Sequence, residues 1–253
     1  MNKDLSFKQI ADKYVSFVVR KYRCPTVIFD GYRVSSTKDH EHAKRCPIPL
    51  SRPVHITDEV RVPYTQEKYF ILKENKANFV QFLSARLRTA GVDVIECDGD
   101  ADCYIAKTAL EYASRNEGSI AAVFDDTDIA VMLLYHWEER MDDVIAVQEV
   151  ARRSWSVEKD QAHIASVKEH LLFIYAWSGY DTTSSIHNKG KIRVVKTFRK
   201  CSGFRAVGTI MSDANSNQNV VGEASAKAFK HLYGVSEKKR LFLLPGKLNS
   251  CLT

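Results

Sequence analysis

No C-x-x-C pair occurs among the six cysteines, Cys24, Cys46, Cys97, Cys103, Cys201 and Cys251. Structural zinc sites usually draw ligands from closely spaced pairs, and secreted disulfide frameworks crowd cysteines into short chains. The scatter therefore points to reduced thiols in cytosol or nucleus. One local mixture, His40 and His42 beside Cys46, reads instead as a solvated helix face. Long apolar runs are missing too. None approaches the roughly 18 residues of a membrane span, and the opening MNKDLSFKQIADKY is too polar for a secretory leader. The expectation is an intracellular protein, nuclear or cytoplasmic, with no membrane partner. Neither a G-x-x-x-x-G-K-[ST] phosphate loop nor a G-x-S-x-G elbow is present, which removes the usual sequence basis for an NTPase or a serine hydrolase.

Acidic residues are also absent from Thr182 to Ser212. Inside that stretch lie Lys189, Lys191, Arg193, Lys196, Arg199, Lys200 and Arg205. A nucleic acid backbone is the natural partner for such a patch, and a basic surface kept for solubility is the alternative. The chain as a whole carries a net charge of +6 over 253 residues, with 45% hydrophobic and 27% charged content. That composition suits one large domain or one domain with an appendage.

Periodicity places alternating helices and strands along the chain. Ile10, Tyr14, Phe17, Val18 and Tyr22 recur at helical spacing, and Pro25 follows. PTVIFDG reads as a buried strand ending at Asp30, and residues 37–46 read as a polar helix with Lys38 and Arg45 two turns apart on one face. Residues 47–63 hold four of the six prolines and read as a loop or arch. A helix with Phe79, Phe82, Leu83 and Leu87 on one stripe ends at Gly91, VDVIEC forms a strand before Asp98, ADCYIAKTALEYASRN a helix, and SIAAVF another strand. IAVMLLYHW and VKEHLLFIYAWSG, separated by a polar linker, are too short and apolar to distinguish helix from strand. SDANSNQN reads as a loop and EASAKAFKHLYG as a helix. Together these predict an α/β domain with a largely parallel central sheet.

Four acidic sites fall where strands end or helices begin: Asp30, then Asp98, Asp100 and Asp102, then Asp125, Asp126 and Asp128, then Asp181. Taken singly, each has a structural reading as a helix cap or turn residue. Carboxylates gathered from distant parts of a chain repel one another, and a divalent cation is the usual counter-charge. Mg²⁺ or Mn²⁺ is the expected cofactor, with phosphodiester hydrolysis by a pair of such ions as the chemistry.

In order and number, VIFDGY, GDAD, DDTD and GYDTTSSIHNKGK resemble the acidic motifs of the flap-endonuclease branch of the PIN-like nuclease superfamily, over about Phe7 to Lys200. DGYRVSSTKDHEHAKR, ENKANFVQFLSARL and FDDTDIAVMLLYH are similar, more narrowly, to an animal family of PIN-like proteins. The resemblance implies a three-layer PIN-like domain over 1–212, with a helix-two-turn-helix-like segment at 182–200 and a helical C-terminal extension at 213–253. It implies a nuclease acting on DNA more readily than RNA, with Asp30, Asp98, Asp100, Asp102, Asp126, Asp128 and Asp181 as direct or water-mediated metal ligands. Asp30, Lys38 and Arg45 would be catalytic, the basic pair steering the scissile phosphate. Lys189, Gly190, Lys191, Arg193 and Lys196 would hold the nucleic-acid backbone. Family members carry an earlier strand with its own catalytic Asp, so an N-terminally truncated domain is expected here. Asp100 and Asp102 stand where flap endonucleases usually carry Glu. The alternative expectation is an inactive PIN-like fold that binds nucleic acid or serves as a scaffold.

Overall fold

A computed structural model describes residues 5–31, 52–63, 65–116, 118–179 and 190–234. The chain divides into two compact units, Met1–Ile105 and Ala106–Thr253.

In the first unit, helix α1 (Phe7–Lys21) starts at a reciprocal cap. The Gln9 N–H donates to Ser6 Oγ at 3.3 Å and the Ser6 N–H donates to Gln9 Oε1 at 2.9 Å, so two N–H groups that a helix start leaves orphaned are satisfied. Strand β1 (Thr26–Phe29) follows, then helices α2 (Gln66–Ile71) and α3 (Lys73–Thr89), and strand β2 (Asp93–Glu96). β1 and β2 pair in parallel, Thr26 opposite Asp93 through Phe29 opposite Glu96. The predicted stripe of α3 is realised, with Phe79, Leu83 and Leu87 buried against Phe7, Ile10, Ala11, Val62 and Val92. That of α1 is realised in part: Ile10 is buried, while Tyr14 and Phe17 stay 42% and 47% exposed.

The proline-rich segment is irregular as expected, and the part described, 52–63, is anchored along the core. The Phe7 N–H donates to the Val60 carbonyl at 3.0 Å and the Val62 N–H to that of Leu5 at 3.2 Å. Fully buried Asn75 satisfies both ends of its amide there. Its Oδ1 accepts from the Val54 N–H at 2.9 Å, while Nδ2 donates to the carbonyls of Tyr69 and Arg52. Backbone polar groups that no strand or helix serves are thus paired by one side chain.

In the second unit, strand β3 (Ile120–Val123) pairs in parallel with β4 (Val144–Gln148), and β4 pairs antiparallel with β5 (Arg153–Ser156). Helix α4 (Ala101–Ala113) contains the division between the units. Helices α5 (Thr127–His136), α6 (Val157–Ile164), a 3₁₀ turn (Ala165–His170), α7 (Leu171–Trp177), α8 (Lys191–Lys200), α9 (Ser202–Ser212) and α10 (Gln218–Tyr233) follow among its described residues. Val167, Ile174, Val194, Phe198, Phe204, Val207, Ala224, Ala228 and Leu232 form one core, to which the last four helices and the 3₁₀ turn contribute.

The largely parallel sheet is shown in part: among the described residues β1–β2 and β3–β4 pair in parallel, within two small sheets of two and three strands, the latter with an antiparallel member. One expectation is corrected. The polar linker contains β4 and β5. Asp142, Asp143 and Arg152 flank these short strands, Arg153 opens the second, and together they mask the inward alternation of Val144, Ala146 and Gln148. The two segments left open between helix and strand are helical, the second opening with a 3₁₀ turn.

Tyr69 is fully buried, and its hydroxyl has no hydrogen-bond partner among the described residues. Burial pushes its pKa up to about 12. The folded state therefore keeps its proton where the unfolded chain loses it, so stability falls as pH rises from 10 towards 12. Tyr69→Phe is expected to raise stability at pH 7 by about 1 kcal/mol, because it deletes an unsatisfied buried hydroxyl, and to flatten that alkaline fall. Urea unfolding at pH 7 and pH 11 measures both.

Candidate functional site

The C-terminal ends of β1 and β2 are held at unusually short range. The Cys97 N–H donates to the Phe29 carbonyl at 3.0 Å, extending the ladder, and the Gly31 N–H donates to the Gly99 carbonyl at 2.7 Å. A Cβ on Gly31 would lie 2.3 Å from the Cys97 carbonyl oxygen, 2.4 Å from the Asp98 carbonyl carbon and 2.6 Å from Gly99 N. All three are backbone atoms, which cannot swing aside, so this position admits only glycine. Asp30 is thereby laid against the 98–100 loop. Its Oδ1 accepts from the Ala101 N–H at 2.8 Å, at the start of α4, and Asp100 Oδ1 accepts from the Asp102 N–H at 3.0 Å.

Buried Cys97 registers the resulting field. Its thiol pKa is raised first by burial and then by Asp30, Asp98 and Asp100. Three of the predicted ligands therefore act on one point, with Asp30, Asp98 and Asp100 exposed and Asp102 half-buried.

Asp126 and Asp128 belong to the second unit. Asp126 is the N-cap of α5, its Oδ1 accepting from the Asp128 N–H at 2.9 Å. Half-buried Asp128 sits in the first turn, where negative charge suits the helix dipole, and accepts a short hydrogen bond from the Tyr175 hydroxyl. Neighbouring Asp125 is structural: its Oδ1 takes the Val150 N–H at 3.1 Å, and its carbonyl takes Gln148 Nε2 at 3.1 Å.

Gly190 caps α8, whose first turn holds no acidic residue. Lys191, Arg193 and Lys196 are exposed on α8 and, with Gly190 and Ile192, line an open depression of about 740 Å³. Lys191 Nζ lies 3.7 Å from the centroid of the Tyr175 ring. Farther along the basic stretch the charges turn to internal use. Arg199 donates to the His163 carbonyl, and Arg205 to the carbonyls of Phe198 and Arg199 that end α8. Lys38, Arg45, Asp181 and Lys189 lie outside the described residues.

A scan against protein-family models finds no match, and no curated protein matches by sequence. Among solved structures, the T5 5′-exonuclease with bound divalent zinc ions is similar, at 15% identity and a TM-score of 0.48 over 91% of this chain and 81% of that one. The bacteriophage T5 flap endonuclease, as a pseudo-enzyme–product complex with DNA and metal ions, gives 14% and 0.49 over 91% and 82%. A likeness this loose leaves the chemistry to rest on the chain's own residues.

By donor type, those residues fit a hard divalent cation. Every candidate ligand is a carboxylate, and a carboxylate accepting one N–H keeps lone pairs for a metal. Among the described residues no group of three His, Cys, Asp or Glu side chains is arranged to hold an ion by itself. Two contributors were not found from sequence. Gly31 closes the motif PTVIFDG with nothing to mark its close approach to residues 97–99, and Tyr175 lies inside an apolar run that carries no mark of a polar role.

Gly31→Ala is expected to lower stability by at least about 2 kcal/mol, at the upper end of overpacking costs because backbone must move. It should also return the Cys97 thiol towards its ordinary titration range by separating Asp30 from it. Urea unfolding and the pH dependence of Cys97 alkylation measure the two effects.

Proposed function

We propose that this chain is a divalent-metal-dependent nuclease of the PIN-like, flap-endonuclease type, hydrolysing phosphodiester bonds in DNA in preference to RNA. The observation that carries the reading is the acidic corner at the ends of β1 and β2, where the Gly31 N–H to Gly99 carbonyl bond and the Ala101 N–H to Asp30 bond set Asp30 beside the loop that carries Asp98 and Asp100. Ligand sites in parallel sheets gather at such strand ends. Several carboxylates at one such corner suit a cationic ligand.

Within the first unit Asp30, Asp98, Asp100 and Asp102 are proposed ligands of Mg²⁺ or Mn²⁺, and within the second Asp126, Asp128 and Asp181 are proposed as ligands too. When bound, such an ion supplies Lewis acidity towards the phosphate and a more acidic water. The chain's own groups bind and orient. Lys191, Arg193 and Lys196, with Gly190 and Lys189, hold the backbone of the nucleic acid, and the cationic side chains of Lys38 and Arg45 counter charge on the scissile phosphate.

A second reading, an inactive PIN-like protein that binds nucleic acid or acts as a scaffold, is favoured by one observation: several of these acids already serve as helix caps.

Labelled flap, single-stranded and duplex substrates with Mg²⁺ or Mn²⁺ decide between them. The nuclease reading expects metal-dependent cleavage that Asp126→Ala with Asp128→Ala lowers by more than about 100-fold, since changes around metal ligands alone cost about 10- to 100-fold. Salt-sensitive binding without turnover supports the second reading and overturns the first.

A further inference from the structure

Between α1, α3 and β1 the first unit leaves part of its apolar interior open to solvent. Buried Phe79, Leu83 and Leu87 of α3 line a trough of about 300 Å³ together with half-buried Val18 of α1, Phe29 of β1 and Val80 of α3. Its α3 side runs from Lys76 to Leu87, roughly three turns or about 16 Å of helix. Lys76 is the only charged residue lining it among the described residues. On the α1 side, Lys21 follows Val18 by three residues and so shares its face. The Lys21 ammonium group lies 4.9 Å from the centroid of the exposed Phe17 ring. Over residues 7–23 the chain carries Lys8, Lys13, Arg20, Lys21 and Arg23 against Asp12, five positive charges and one negative for a net of +4.

We propose that this trough docks an amphipathic helix of a partner protein, with large apolar side chains seated in the trough and acidic residues facing Lys21 and Lys76. An apolar stripe at i, i+3, i+4 and i+7 covers about 10 Å of helix, which the length of the trough accommodates. The two lysines and the charge of α1 set the sign of the partner's polar face. A second copy of this chain would bring one basic α1 against another. A bilayer takes up apolar groups that protrude into it, whereas Phe79, Leu83 and Leu87 are recessed and at most 5% exposed. Single-stranded nucleic acid stacks its bases on open aromatic faces. Here Phe79 packs edge-to-face with Tyr14 and with Phe70, the other aromatic residues of the α1 and α3 sides. No trough residue is among those proposed for metal or nucleic acid, so docking and cleavage are separable.

Fluorescence anisotropy with the full chain tests this. The probe is a labelled helical peptide of leucine, phenylalanine and glutamate with its apolar residues in one stripe. The same peptide with lysine for glutamate, a single-stranded oligonucleotide and vesicles of anionic phospholipid are the comparisons. The glutamate peptide is expected to bind and the lysine peptide not. Val80→Asp, which sets a charge in the wall, is expected to weaken that binding by more than about 10-fold. Lys21→Glu with Lys76→Glu is expected to weaken it by about 10-fold and to admit the lysine peptide instead. Unchanged circular dichroism is the control for folding, and the lysine pair, at positions that are not buried, keeps the test available if Val80→Asp fails that control. A glutamate peptide that does not bind, or that binds equally well to the variants, overturns the proposal. So does a preference that the lysine pair leaves unreversed, or binding of oligonucleotide or vesicles, but not peptide, that Val80→Asp abolishes.

Discussion

The contact on which the candidate site depends is the approach of Gly31 to the backbone of residues 97–99. Parallel pairing of β1 and β2 aligns the two strand ends, and the Gly31 N–H to Gly99 carbonyl bond closes them. No side chain fits between. Asp30 is placed by this approach and by the Ala101 N–H that its carboxylate accepts, since the strand before it is only four residues long and the position after it must be glycine. Asp30, Asp98 and Asp100 together push up the titration of a neighbouring thiol that burial has already raised. A structure that needed only a helix cap at α4 could use one acid. Several acids at one corner are what the proposed cation site draws on.

The acids of the second unit are placed differently. Its acids stand at the start of α5, where the N-cap and the helix dipole already stabilise negative charge. Asp126 is spent on the Asp128 N–H, and Asp128 is steadied by Tyr175. Capping and ligation are therefore not rival accounts of one carboxylate. The hydrogen bond of a cap orients one oxygen and leaves the other able to accept. On α8, by contrast, the basic residues divide by role. Arg199 and Arg205 close carbonyls inside the unit, while Lys191, Arg193 and Lys196 stay on the open side.

Much of this was legible in the sequence. The strands ending at Asp30 and Asp98, the stripe of Phe79, Leu83 and Leu87, and the helices after Asp100 and Asp126 follow from hydrophobic period and from cap residues at strand ends. What escaped was of three kinds. Strands β4 and β5 are only five and four residues long and lie between charges, so their period of two has too few turns to show. The division into two small sheets is set by long-range pairing that no local pattern encodes. Tyr175 and Arg205 work through contacts with residues distant in sequence or with main-chain carbonyls, and neither leaves a local signature.

The central claim, that the corner made by Asp30 and the 98–100 loop binds a divalent cation, is tested most directly by paramagnetic broadening. In the amide spectrum of the ¹⁵N-labelled full chain, substoichiometric Mn²⁺ is expected to remove the resonances of Gly31, Gly99 and Ala101 first, and excess Mg²⁺ to restore them. Broadening that spares these three amides, or that Mg²⁺ leaves unchanged, would contradict the account.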